Sequence, residues 1–187
     1  MSTDKKETML ANPAPLGLLG FGMTTMLLNL HNANIIALSG VILAMELCLG
    51  GTAQIFAGIM EFRNKNTFGA TAFTAYGFFW WSLVLIWTNP FEGIVATDAT
   101  SIGYYLLLWG VFTAFMFIGT LKHNHATQFV FLTLTLLFIL LAIGDFTGNT
   151  DVKHVAGWIG IICGASAIYN SMAQIINNEF GKRIMPL

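Results

Sequence analysis

Six long stretches of mostly apolar residues follow one another along the chain, separated by short polar or glycine- and proline-containing segments. They fall at about 15–31, 35–60, 67–90, 102–121, 127–146 and 154–178. A helix that crosses a bilayer needs roughly 17–25 predominantly apolar residues. The pattern therefore predicts an all-α membrane protein with six transmembrane helices. The first stretch is short and rich in Gly and Thr, so it could form a broken or shifted helix.

Composition supports the membrane assignment, because 56% of the residues are hydrophobic and only 9% are charged. Soluble domains carry about 25% charged residues. The net charge of −1 and the lack of a basic patch argue against nucleic acid as a partner. We expect one domain, divided into an N-terminal cytoplasmic tail at 1–14, a transmembrane transporter domain at 15–178 and a C-terminal cytoplasmic tail at 179–187.

Basic residues predict the orientation in the membrane. When both tails are placed on the side of the second and fourth loops, that side receives Lys5, Lys6, Arg63, Lys65, Lys122, Lys182 and Arg183. Lys153 alone lies on the opposite side. Because cytoplasmic loops carry an excess of Lys and Arg, this distribution predicts that both termini are cytoplasmic. The polar N-terminal residues show no signal-peptide cleavage site, so we expect no processing.

Small residues recur at helical spacing in three of the spans. The sets are Gly17, Gly20 and Thr24 in the first, Gly51, Gln54 and Gly58 in the second, and Gly157, Gly160 and Gly164 in the sixth. Such stripes let helix backbones approach closely inside a membrane. Short similar segments at 69–72 and 164–167, and at 18–21 and 108–111, also suggest that the protein consists of two inverted three-helix repeats.

Segment 12–18, with the sequence NPAPLGL, marks the entry into the first span. Pro15 lacks a backbone N–H and has a preset φ, which suits the first turn of a helix. The donors after it lie at the positive end of the helix dipole, where a small carboxylate could bind to backbone N–H groups. Helix punctuation alone is the alternative interpretation.

The same heptad, followed by Phe21, resembles the opening of proteins in the acetate uptake transporter family, which includes succinate-acetate permeases. The resemblance continues through GGTAQ at 50–54, NTFGATAFTAYG at 66–77, GWIG at 157–160 and GASA at 164–167. It implies a six-helix inner-membrane transporter for acetate and succinate. It also implies a bacterial plasma-membrane location and a ring-shaped homo-oligomer, a hexamer, with one pore in each protomer.

The resemblance further implies a hydrophobic constriction formed by Phe21, Tyr76 and Leu134. Together with the polar and small residues inside the spans, it gives the following candidate substrate pathway: Asn12, Pro13, Pro15, Leu16, Gly17, Phe21, Thr24, Asn29, Gln54, Thr71, Thr74, Tyr76, Leu134, Ser166 and Ala167. Thr67, Thr71 and Thr74 share one helix face and could pass a carboxylate along by hydrogen bonds. The alternative is that each hydroxyl bonds its own helix backbone.

Glu46 is the one carboxylate near the centre of a span, where an ionised side chain is unfavourable. It is therefore functional, paired or protonated, and it is the best candidate for a proton-linked residue. The alternative is a structural role as a protonated, hydrogen-bonded side chain. Glu61, at the end of the same span beside Arg63 and Lys65, is expected to be solvated or paired at the surface.

Cys48 and Cys163 lack metal-binding or redox spacing and are expected to be buried small hydrophobic residues. The four histidines fall at span ends without metal-ligand spacing, so no metal and no cofactor is expected. The sequence also lacks the motifs of an enzyme active site. Two alternatives to an acetate permease stay open: a channel for another small solute such as ammonium, and a membrane subunit that does not transport.

Overall fold

The computed structural model describes residues 11–187, which form six helices and contain no strand. The helices are α1 (Ala14–Asn32), α2 (Gly40–Arg63), α3 (Thr67–Thr88), α4 (Ala99–Lys122), α5 (His125–Thr147) and α6 (Thr150–Glu179). The predicted all-α class is confirmed. The charged N-terminal residues, including Lys5 and Lys6, lie outside the described range.

Polar residues at the helix starts fix where four of the helices begin. Asn66, Asp98, Asn124 and Asn149 each accept a hydrogen bond, 2.8–3.1 Å long, from a backbone N–H two or three residues later. Such caps satisfy first-turn donors that have no partner within the helix. Gly148 ends α5 with a φ of 64°, so the chain reverses direction within two residues before α6 begins.

Five helices, α2 to α6, are long and apolar enough to cross a membrane. The 19-residue α1 is rich in glycine and threonine and is not among them. Within α1 only Leu16 and Met23 are exposed, because the helix packs against α2, α3 and α6. A helix surrounded by protein can contain small and polar residues that a lipid-facing helix would not tolerate. This position explains the weaker hydropathy of the first stretch.

The small-residue stripe of α6 is a close-packing face, as the sequence predicts, and the helix that it packs on is α1. A Cβ atom added to Gly164 would lie 2.7 Å from the carbonyl oxygen of Gly22, and one added to Gly22 would lie 2.8 Å from the carbonyl oxygen of Gly164. Farther along the same face, Gly160 lies against the Asn29 side chain and Gly157 against the backbone of Ala33. The two backbones can approach this closely only because these positions have no side chain.

The stripe of α2 faces α3. Gly51 lies against the indole of Trp81, Gly58 lies against Thr74, and Gly77 of α3 lies against Ile55. The second stripe is thus confirmed as a packing face. It fixes α3 beside α2 and so determines which side chains of α3 point toward the centre of the bundle.

The middle of α2 departs from regular α-helical geometry, because residues Glu46–Ala53 form a π-helix. Side chains use a carbonyl group in this segment: Thr52 Oγ1 donates to Leu47 O at 2.7 Å, and Trp81 Nε1 donates to the same oxygen at 3.2 Å. π-helical turns are rare and are frequent at functional sites. Apolar periodicity does not distinguish such a turn from an α-helix, so the sequence did not indicate it.

Two sequence expectations about α2 are wrong. Cys48 is exposed on the surface of the chain rather than buried, whereas Cys163 is buried as expected. Glu61 is buried rather than solvated, and its Oε2 accepts a hydrogen bond of 3.0 Å from Asn66 Nδ2. Both errors concern the rotation of the helix about its axis, which hydropathy fixes poorly when lipid and protein are both apolar.

Consecutive helices pack in the same order in the two halves: α1 on α2 and α2 on α3, then α4 on α5 and α5 on α6. Between the halves, the backbones of α1 and α6 pack closely, whereas α3 and α4 meet mainly through side chains. The contacts therefore follow a two-fold pattern only in part. The inverted repeat stays a prediction.

The crossing of α1 and α6 gives a stability prediction. Gly164→Val should sharply lower the thermal stability of the protein in detergent, because its new atoms meet backbone rather than a movable side chain. Overpacking typically costs about 1–3 kcal/mol. Gly40→Val is the matched control, since a Cβ at Gly40 meets no atom within 4 Å. Equal unfolding temperatures for the two variants would contradict the close crossing.

Candidate functional site

A cavity of about 510 Å³ opens at the end of the bundle where α1 ends and α6 begins. We call this the distal end and the cavity the vestibule. Its walls come from α1, α3, α4 and α5, with contributions from the connecting segments and from the start of α6. Binding sites for small molecules commonly have volumes of about 300–1,000 Å³. The vestibule is thus large enough for a small organic solute.

Three residues at the inner end of the vestibule, Phe21, Tyr76 and Leu134, also line a second cavity of about 20 Å³. We call these three residues the neck. All three are buried, and the ring centroids of Phe21 and Tyr76 are 6.0 Å apart. They come from α1, α3 and α5, so three separate helices must be correctly placed to bring them together.

Tyr76 presents its ring to the cavities and not its hydroxyl. The hydroxyl donates to Thr113 Oγ1 at 2.9 Å, and that hydroxyl in turn donates to Trp109 O at 2.7 Å. The ring is also packed beside Trp109 and Phe112, with centroid distances of 5.8 and 5.5 Å. Because the polar end of Tyr76 is bound to α4, the neck is apolar in character.

The smaller cavity is lined by apolar residues: Leu18, Phe21, Ala72, Phe73, Tyr76, Val130, Phe131 and Leu134. It continues from the neck toward the other end of the bundle. One face of the Phe73 ring packs on Gly17, where an added Cβ would lie 2.6 Å from the ring. Gly17 of the NPAPLGL motif therefore supports a wall of this cavity from behind.

Polar groups of α1 line the vestibule above the neck. Asn29 Nδ2 donates to Thr25 O at 2.8 Å, and Asn29 Oδ1 accepts from Asn32 Nδ2 at 3.0 Å. The hydroxyl oxygen of Thr25 is buried and has no hydrogen-bond partner among the described residues. The oxygen has almost no exposed surface, so it lies behind the vestibule wall and is not open to a solute.

Within residues 11–187, the charged groups that line the vestibule lie at its mouth. Lys153 and Asp145 form an ion pair there, between the start of α6 and the end of α5. Asp98 also lies on the rim and accepts hydrogen bonds from the backbone N–H and the hydroxyl of Ser101. These bonds lower the pKa of Asp98. Asp98 therefore stays ionised at neutral pH.

The structure brings four of the predicted pathway residues to the vestibule, namely Phe21, Asn29, Tyr76 and Leu134. The other predicted pathway residues line neither cavity: Asn12, Pro13, Pro15, Leu16, Gly17, Thr24, Gln54, Thr71, Thr74, Ser166 and Ala167. Four of these have other roles or places in the bundle. Thr24 and Gln54 are buried between helices, Ser166 Oγ donates to Cys163 O at 2.7 Å, and Ala167 is in the hydrophobic core.

The predicted row of threonines on α3 does not face the cavities. Thr67 and Thr71 are exposed on the surface of the chain, and Thr74 lies against Gly58 of α2. The three residues do share a helix face, as their spacing predicts. That face points away from the vestibule, which Tyr76, Phe79 and Trp80 line from another side of α3.

The helix entry at 12–18 already uses several of its own polar groups. Asn12 Oδ1 accepts from Ala14 N at 3.0 Å, and Asn12 Nδ2 donates to Gln174 Oε1 at 3.1 Å. The N–H of Gly17 donates to Pro13 O at 3.2 Å. These bonds tie the entry to α6 and leave fewer first-turn donors for an anion than the sequence suggests.

Glu46 is fully buried, and both of its carboxylate oxygens lack a hydrogen-bond partner among the described residues. It lies at the start of the π-helix, about midway between the distal end of α2 and its centre, and it lines neither cavity. One turn farther on, Gly50 lies against Thr24, whose hydroxyl is also unpartnered within residues 11–187.

Sequence reasoning missed several residues of the vestibule. The largest set lies on α3, where Phe79, Trp80, Leu83 and Trp87 continue the face of Tyr76 toward the distal end. Their helical spacing is visible in the sequence and could have identified them. Thr25 was missed because its neighbour Thr24 was chosen, and the Asp145–Lys153 pair was missed because its members lie on different helices.

Fold and cavities together define a multi-pass α-helical membrane protein with a solute-sized vestibule that ends at an apolar neck. The chain belongs to the GPR1/FUN34/yaaH family, which it matches over residues 2–184. This confirms the family resemblance stated from the sequence motifs.

Among its relatives, the succinate-acetate/proton symporter SatP of Escherichia coli (strain K12) is 59% identical over 182 residues, which are 97% of each chain. A solved structure of the bacterial acetate channel SatP matches with a TM-score of 0.93 at 59% identity and covers 96% of this chain and 99% of that one. Ammonia transport outward protein 2 of Saccharomyces cerevisiae is 36% identical over 178 residues, 90% of this chain and 63% of the yeast protein.

Proposed function

We propose that the protein is a permease or channel that carries acetate and related short carboxylates such as succinate across a membrane. The observation that carries the proposal is the apolar neck, whose three residues line both the vestibule and the smaller cavity. The similarity to SatP over nearly the whole chain supports the same function. Transport and not catalysis is therefore the role that we assign.

The neck selects by size and by hydration. An apolar constriction admits a small, weakly hydrated or protonated acid and raises the barrier for larger or strongly hydrated ions. Thr25 and Asn29 line the vestibule above the neck but are almost fully buried, so the wall that a carboxylate meets there is mainly apolar. Because no lysine or arginine among the described residues lies deeper than Lys153, a solute is not trapped by an ion pair at mid-membrane.

We place the protein in the inner (plasma) membrane of a bacterium, with both termini in the cytoplasm and the vestibule open to the outside. Arg63, Lys65, Lys122, Lys182 and Arg183 favour a cytoplasmic location for the end opposite the vestibule. The family resemblance further favours a homohexamer in which each protomer has its own pore. The hydroxyls of Thr67 and Thr71, exposed on a single chain, fit a protomer contact on this face.

A channel for ammonium is the second candidate, because one relative of this chain is named for ammonia transport. The two carboxylates at the mouth, Asp98 and Asp145, suit a cation better than an anion. The apolar vestibule and the neck do not distinguish these two solutes, so an uptake assay is needed to separate acetate transport from ammonium transport.

The test is uptake of labelled acetate into proteoliposomes that contain the purified protein. We expect saturable uptake that unlabelled succinate inhibits, with protein-free vesicles as the background. Ammonium-dependent alkalinisation without acetate uptake would favour the second candidate. The absence of both activities in a folded protein would refute a transport function.

Leu134→Ala tests the neck. The substitution should raise uptake of larger monocarboxylates such as lactate several-fold relative to acetate. A wider constriction no longer excludes the larger solute, whereas acetate already passes the narrow one. Leu137→Ala is the control: it is a buried leucine of the same helix that lines only the vestibule. Each change removes core packing worth about 2–5 kcal/mol, so stability losses should match. An equal change in selectivity in both variants would contradict the role of the neck as the size filter.

Gly17→Val should reduce acetate uptake at least several-fold while leaving the protein inserted. The added methyl groups push the Phe73 ring toward the smaller cavity, which holds only about 20 Å³. The double variant Gly17→Val/Phe73→Ala should recover uptake, because the smaller side chain leaves room. Lack of recovery would indicate that Gly17 acts through the backbone N–H donors of the helix entry and not through the Phe73 ring. Undiminished uptake in the single variant would mean that this wall does not limit transport.

Glu46→Gln tests whether the buried carboxyl carries protons. We expect a structural role, so uptake driven by a proton gradient and exchange of labelled for unlabelled acetate should change together. Gln keeps the shape and hydrogen bonds but cannot release a proton. Glu61→Gln, a buried carboxyl at the other end of α2, is the matched control. Selective loss of gradient-driven uptake in Glu46→Gln alone would assign proton coupling to this residue.

A further inference from the structure

The Asp145–Lys153 ion pair occupies the entrance of the vestibule. The pair joins the end of α5 to the start of α6 across the turn at Gly148, and both residues line the cavity. The Asp145 side chain is 11% exposed and that of Lys153 is 36% exposed. Lys153 is the one lysine or arginine that lines the vestibule within residues 11–187.

The charges around the entrance do not favour an anion as they stand. The ionisable groups that line the vestibule are His31, Asp98, Asp145 and Lys153. The described lining thus contains two carboxylates and one ammonium group, and the ammonium is already paired with Asp145. An entering carboxylate therefore meets a cation that another carboxylate occupies.

The geometry fixes Lys153 in this place. Its Cγ lies 2.5 Å from where a Cβ of Gly144 would be, so the stem of the lysine rests directly on the α5 backbone. The ammonium group has three N–H donors, and a lysine can bind more than one carboxylate oxygen. It is consequently held at the entrance, close to the path that a solute must take.

We propose that Lys153 is a carboxylate-binding site at the entrance and that Asp145 occupies it until an entering carboxylate replaces it. Asp145 and acetate present the same chemical group to the ammonium, so the exchange conserves the type of interaction. The displaced Asp145 and nearby Asp98 repel the new anion, and this repulsion is about twice as large for a dianion. Asp145 therefore lowers the affinity for the entering anion and disfavours succinate dianion relative to acetate.

This inference rests on the proposed function, and the main test is Asp145→Asn. Removing the charge at constant shape should free Lys153 and lower the KM for acetate about two- to tenfold, with a larger decrease for succinate. The maximal rate should change little, because the neck is untouched. The effect should weaken when ionic strength rises from about 0.01 M to 1 M, where the screening length falls from about 30 Å to 3 Å.

Asp98→Asn is the matched control. It removes the same charge from the same rim, and asparagine is as good a helix cap as aspartate. However, it leaves Lys153 paired, so its effect on KM should be clearly smaller. Equal effects of the two substitutions on KM would mean that only the overall negative charge of the rim matters. That result would overturn the specific binding site at Lys153.

The double variant Asp145→Asn/Lys153→Met separates binding from charge balance. Lys153→Met alone leaves a largely buried carboxylate unpaired and is expected to misfold. The double variant leaves neither member of the pair charged, and its KM should return to or exceed that of the wild type, with only the weaker salt dependence that Asp98 contributes. A KM as low as that of Asp145→Asn would refute the site.

If the wild-type protein carries no carboxylate, the proposed function fails, and this inference fails with it. If the wild-type protein takes up acetate but these variants do not change its KM, only this inference is overturned.

Discussion

The close approach of α1 to its neighbours is the constraint on which the rest of the structure depends. Glycines on both sides of the α1–α6 crossing bring backbone against backbone, and Gly20 of α1 lies against the backbone of α2 at Leu49. Lipid gives helices little hydrophobic reason to associate, so close packing must hold the bundle together. Because α1 is enclosed in this way, it can contribute an aromatic ring, a hydroxyl and an amide to the vestibule without exposing them to lipid.

The neck shows how polar groups produce an apolar surface. Tyr76 carries a hydroxyl, but Thr113 and the backbone of Trp109 bind it on the side of α4, so the cavities contact only its ring. A phenylalanine would leave Thr113 bonded to its own helix but would remove one of the side-chain hydrogen bonds between α3 and α4, the other being that of Ser82 with Tyr105. The hydrogen bond thus positions the ring and joins the two halves of the bundle.

Apolar periodicity and small-residue spacing were sufficient to predict the helices and their packing stripes, because both depend on residues of one segment. The motif resemblance supplied Phe21, Tyr76 and Leu134, which lie on three helices. Helix rotation was harder to predict. Thr24 was chosen where Thr25 lines the vestibule, and the exposed Thr71 was taken as part of the pathway. The π-helix at Glu46–Ala53 shifts the face of α2, and no hydropathy pattern reveals such a shift.

Charge and size selection are separated along the vestibule for an energetic reason. A charged side chain near the centre of a bilayer is unfavourable by several kcal/mol, whereas one at a helix end can reach water. Lys153, Asp145 and Asp98 accordingly lie at the mouth, and the described part of the pathway below them is neutral. On the proposed function, a solute is therefore sorted by its charge while it is still hydrated and by its size only after it has begun to lose water. On the same proposal, rejection of dianions at the mouth keeps the neck free for small monoanions and neutral acids.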